Sequence, residues 1–84
     1  MASIDEIISA IHSNISQCDD AAGAINSTVG VADEVSSNFQ ALGAEGQTAQ
    51  ANACKEQLNE AIQLLEPVKA KLAEAISTAE SMKS

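Results

Sequence analysis

Aromatic residues are almost absent from this chain: Phe39 stands alone among 84 residues, with no Trp and no Tyr. A compact globular core normally fills with bulky rings, whereas a seam between helices is filled by Ile, Leu, Val and Ala. Arginine is missing altogether, and four lysines stand against twelve acids for a formal net charge of −8. Phosphate backbones and anionic membrane surfaces are engaged by clustered Lys and Arg, and no lysine occurs before Lys55. Nucleic-acid and membrane binding are therefore excluded as function classes. No apolar run approaches the roughly 18 residues that span a bilayer. The N-terminus lacks the basic start and apolar stretch of a signal peptide, so the reading is a soluble cytoplasmic product. Any export would need a leaderless route.

What is present is helix-forming. Ala, Glu and Gln are abundant and proline occurs once. Ser3-Ile4-Asp5-Glu6 reads as a capping box, with Ser3 as N-cap and Glu6 at N3. An apolar line then runs Ile4, Ile8, Ile11, Ile15, Cys18, Ala22, Ile25, Val29, Ala32, Ser36, Phe39, in alternating steps of four and three. Gly43-Ala44-Glu45-Gly46 interrupts it with the residue type that ends helices and makes turns. A second line follows through Ala51, Cys54, Leu58, Ala61, Leu65, Val68, Leu72, Ala75, Ala79 and Met82. A seven-residue repeat that never slips is a coiled-coil seam rather than a generic amphipathic stripe.

The predicted fold is all-α, a single domain over residues 1–84: an antiparallel two-helix hairpin that pairs into a four-helix bundle. Helix 1 is expected over about 4–42, the turn over 43–46 and helix 2 over about 47–83. Pro67 removes one helical hydrogen bond, and a break there would begin a third helix. Because the heptad phase passes through it unchanged, the preferred reading is a kink near residue 67.

The register follows from the seam. With Ile4 and Ile8 at d and a, facing layers centre the turn on Glu45 and place Ile8 with Met82, Cys18 with Leu72, and Ser36 with Cys54. Large faces small in most layers. A 14-residue repeat supplies a second, independent pattern. Asp5, Asp19 and Asp33 fall at e in the first arm, and Lys55, Lys69 and Lys83 fall at e in the second. Antiparallel helices oppose e to e, which predicts the pairs Asp5–Lys83, Asp19–Lys69 and Asp33–Lys55.

Chemistry is sparse. Cys18 and Cys54 lie about 27 Å apart along the predicted hairpin, too far for an internal disulfide, and read as two small buried thiols. His12 stands alone at an e position and cannot assemble a zinc site with two distant thiols. No nucleophile–base pair or phosphate-cradling loop is present. The acid pairs are sequence neighbours on a solvated face. The chain is read as a non-enzyme with no cofactor, no metal and no small-molecule substrate.

The seam leaves apolar residues over. Ile62 and Ile76 sit at e, and Ile7, Val35, Leu42 and Leu64 sit at g. A wider apolar face implies more than one helical neighbour. Ser9, Ser16, Gly23, Gly30 and Ser37 recur every seventh residue at b, a line of small residues along which another backbone could approach. These eleven residues form the predicted partner-binding set, for a homodimer or for a heterodimer with another helical protein.

Over its whole length this pattern resembles the WXG100 (ESX-type) family of acidic, leaderless helical hairpins with a glycine turn. The corresponding turn is Leu42-Gly43-Ala44-Glu45-Gly46, with Leu42 roughly where the family's Trp stands. The resemblance implies a homo- or heterodimeric four-helix bundle secreted by a type VII system. The chain lacks the Trp, the W-x-G motif and the Tyr of the family's C-terminal export signal. It would then be a Trp-less relative, the partner or chaperone of a type VII-secreted effector or toxin that carries the signal. The competing expectations are a structural subunit of a helical assembly or filament, and a cytoplasmic coiled-coil adaptor.

Overall fold

The computed structural model describes residues 2–83 as two long helices, α1 (Ile4–Ala41) and α2 (Glu45–Ser81), folded against each other as an antiparallel hairpin. The hairpin is a rod measuring 64 × 17 × 14 Å. Helix α1 starts where Ser3, in extended backbone, accepts a hydrogen bond on its Oγ from the Glu6 amide at 3.2 Å. That contact satisfies one of the donors every helix start leaves free.

The turn is tighter than the sequence suggests. Gly43 takes the left-handed conformation, φ +73°, which only glycine adopts without strain. Its amide donates to Gln40 and the Ala44 amide donates to Phe39, both at 3.0 Å. Together these two bonds form a Schellman motif that caps α1 with three residues of turn. Helix α2 therefore begins at Glu45 rather than Gln47, and Gly46 lies in its first turn. Ala44 offers no side-chain cap, but Thr48 bonds back to the Ala44 carbonyl through its amide and its hydroxyl. Helix α2 runs on through Pro67, so no third helix forms. Pro67 is exposed, where water can reach the Gln63 carbonyl that proline leaves without a donor.

Every residue of the α1 line, Ile4 to Phe39, is half-buried or buried. Helix α2 is rotated relative to the expected seam. Its covered residues are Thr48, Ala51, Lys55, Leu58, Ile62, Leu65, Lys69, Leu72, Ile76 and Ala79, with Ala61 half-covered beside them. The e column has replaced the d column: Cys54, Val68, Ala75 and Met82 are exposed. Volume explains the exchange. The e column reads Lys55, Ile62, Lys69, Ile76, Lys83, two isoleucines alternating with long lysine stems. The d column offers Cys, Ala, Val, Ala and Met. Burying isoleucines, with lysine stems laid along the seam and their ammonium ends in water, removes more apolar area.

Candidate partner interface

The cross-helix polar contacts fix the register. Lys83 meets Asp5 at 2.6 Å, Lys69 meets Asp19 at 2.8 Å and Lys55 meets Asp33 at 2.9 Å. All three pairs read from the 14-residue repeat are formed. Ser36, only 7 % exposed, donates its hydroxyl to Asn52 Oδ1 at 2.7 Å. These four contacts share one register, and it converges on Ala44, one residue before the expected Glu45. Ser36 accordingly faces Asn52 rather than Cys54. Hydrogen bonds to Asp19 and Asp5 hold the Lys69 and Lys83 ammonium groups above the ordinary lysine pKa of 10.5, and the neighbouring carboxylates add to the shift.

This register gives the rod two unlike flanks. Along one, the e columns meet, and the 14-residue repeat alternates an Asp–Lys pair with an isoleucine set opposite Asn26 or His12. All six α1 acids, Asp5, Glu6, Asp19, Asp20, Asp33 and Glu34, lie at e and f, on this flank and the adjoining back. The opposite flank is formed by the c and g columns of α1 and the d and g columns of α2. Among the described residues every exposed large hydrophobic residue belongs to it: Ile7, Val31 and Val35 of α1 with its C-cap Leu42, and Leu64 and Val68 of α2 with its C-cap Met82. Leu42 and Leu64 are 79 % and 68 % exposed. Its four columns carry one charge, Lys71, which pairs with Glu74 at 3.3 Å.

The predicted partner-binding residues divide accordingly. Ile7, Val35, Leu42 and Leu64 are exposed on the flank whose one charge is Lys71. Ile62 and Ile76 are not available there. Ile62 is half-buried and Ile76 is 8 % exposed, both covered within the hairpin because α2 turns its e column inward. Val31, Val68 and Met82 join the flank instead. Val68 and Met82 stood in the predicted seam, so only the rotation of α2 brings them out. Val31 was legible at a c position but belongs to no regular line. Ser9, Ser16, Gly23, Gly30 and Ser37 are exposed, on a column flanked by the acid-bearing e and f columns. A Cβ built on Gly23 or Gly30 meets no atom within 4 Å, so the hairpin itself gives these glycines no packing role.

The remaining features hold little chemistry. Cys18 is half-buried and Cys54 exposed, both as free thiols, which corrects the expectation of two buried thiols. Among the described residues no group of three or more His, Cys, Asp or Glu is placed to hold a metal ion, and no helix is long and apolar enough to cross a membrane. A shallow cleft of about 360 Å³ beside the turn is lined by Gln40, Gly43, Glu45, Thr48, Ala49 and Asn52. It presents amides and one carboxylate, and the Thr48 hydroxyl is already bonded to Ala44. No protein-family model, curated protein or solved structure matches the chain.

Proposed function

We propose that the chain is a non-enzymatic helical interaction protein, a WXG100-like partner or chaperone for a larger helical protein exported by a type VII route. One observation carries this reading: seven large hydrophobic residues are exposed along a single flank that is nearly free of charge. Apolar side chains aligned along one flank, rather than spread around the rod, mark a surface that another molecule covers. A helix-lined flank running the length of a 64 Å rod suits another helix laid alongside it. Chaperoning follows from the same physics, since a bundle-forming partner would aggregate through its own uncovered face.

Co-expression with long helical proteins encoded next to this chain tests the reading. The expected result is a stoichiometric helical complex, with the partner lost from the culture medium when this chain is deleted from the source organism. No complex, together with unchanged partner abundance and export, would overturn it. Large concentration-dependent assemblies of the chain alone would instead favour a structural subunit of a helical filament.

A further inference from the structure

We infer that the Ser36–Asn52 hydrogen bond sets the rotation of α2, and through it which apolar column of that helix is turned outward. The pair acts within one hairpin, whatever molecule covers the flank.

Helix α2 carries apolar residues on both sides of its a column. The d column holds Cys54, Val68 and Met82, and the e column holds Ile62 and Ile76. At 3.6 residues per turn, a seam centred between a and d differs from one centred between a and e by a rotation of about 50°. The a residues Ala51, Leu58, Leu65, Leu72 and Ala79 serve either seam. Rotation exchanges two isoleucines and the lysine stems for a valine, a methionine and a cysteine. Most of the apolar area gained on one side is therefore lost on the other.

The ion pairs do not choose between the two rotations. Lys55, Lys69 and Lys83 reach Asp33, Asp19 and Asp5 where the e columns meet. A seam built on d predicts the same three pairs, because e lies at the margin of that seam too and the lysine stem is long. These pairs fix which residues stand level along the rod, not how α2 is turned about its own axis.

Ser36 and Asn52 are sensitive to that turn. Ser36 lies in the α1 line at 7 % exposure, and its hydroxyl donates to Asn52 Oδ1 at 2.7 Å. Asn52 is a b residue, on the e side of the a column. It stands about 80° from the middle of the observed seam, and a turn onto d would carry it to about 130°, on the outer surface. Ser36 would then face Cys54, whose thiol is only a weak donor and acceptor. A buried hydroxyl that loses its partner is costly, so this contact resists a rotation to which the ion pairs are blind. One polar pair in an apolar seam specifies the arrangement of two helices in the same way.

Hydroxyl-radical footprinting of the full chain, read by peptide mass spectrometry, tests the pair with Ser36→Ala, Asn52→Ala and Asn52→Asp variants. A neutral hydrogen bond shifts an equilibrium by roughly 2- to 13-fold. In both alanine variants oxidation of Ile62 and Ile76 should rise and that of Val68 and Met82 should fall, each by about twofold or more. Opposite changes in the two columns mark rotation, because a loosened hairpin would expose all four residues together. Asn52→Asp keeps an acceptor for the Ser36 hydroxyl and should restore the wild-type pattern. Far-ultraviolet circular dichroism checks that each variant keeps its helices. Columns that stay as in the wild type in both alanine variants, or that rise together, would overturn the inference. An aspartate variant that follows the alanine variants would overturn the hydrogen bond as the cause. Either failure leaves the co-expression experiment as a separate judgement on the broader function.

Discussion

Replacing Gly23 and Gly30 with alanine should make the protein more stable. Both glycines lie inside α1 with ordinary helical backbone, since Gly43 is where the positive φ occurs. Neither added methyl would meet an atom within 4 Å. The gain is therefore the intrinsic preference of alanine over glycine in a helix interior, about 0.8–1 kcal/mol per site, arising largely from the freer unfolded chain. The double variant should gain about 1.5–2 kcal/mol. Unfolding entropy near 2.1 cal/mol/K per residue gives roughly 0.18 kcal/mol/K for 84 residues, so each substitution should raise the melting temperature by about 5 °C. Thermal melts followed by circular dichroism at one fixed chain concentration read this directly. Gly43→Ala is the opposing control, expected to lose about 1 kcal/mol or more because φ +73° is strained for alanine. A lower melting temperature for Gly23→Ala or Gly30→Ala would refute the reasoning. It would mean that another backbone rests on the small-residue column, returning that line to the interface.

Other perturbations test the packing and the ion pairs. Ile76→Ala should cost about 2–4 kcal/mol in urea titrations. Leu64→Ala, at concentrations dilute enough to keep hairpins apart, should cost under about 0.5 kcal/mol. The reverse order would mean that α2 turns its g column, not its e column, toward α1. The raised pKa of Lys69 and Lys83 means that the folded state holds these protons more tightly than the unfolded state. Their contribution is fully present below 10.5 and is lost as pH rises through the raised values. Melting temperatures should therefore fall above about pH 10.5, and Lys69→Met with Lys83→Met should flatten that fall. An unchanged slope in the double variant would remove the two pairs from the account.

Much of this arrangement was legible in the sequence, and most of the misses have one physical origin. The α1 stripe could be read from spacing because its large residues, Ile4 to Phe39, already lie on the a and d columns. The ion pairs were legible because three acids and three lysines repeat at the same interval. Helix α2 was misread because its d column, Cys54, Ala61, Val68, Ala75 and Met82, looks apolar letter by letter, while its e column contains lysine. A lysine counts as solvent-facing by its charge, yet its four-carbon stem covers apolar surface. Two such stems and two isoleucines outweigh the smaller d residues and rotate the helix. The same rotation explains why Ile62 and Ile76 are covered and why Val68, Met82 and Cys54 are exposed. The turn was misplaced by one residue because two glycines compete for it. Gly43 takes the left-handed cap, which leaves Gly46 free to join α2.

The two unlike flanks exist only in this hairpin register, and zero-length carbodiimide crosslinking with peptide mass spectrometry measures it. An amide forms only where a lysine touches a carboxylate. The register predicts links within one chain from Lys55 to Asp33, Lys69 to Asp19 and Lys83 to Asp5. Links displaced by two heptads, such as Lys69 to Asp5 or Lys55 to Asp19, would contradict it, and the flank of exposed hydrophobic residues would dissolve with it.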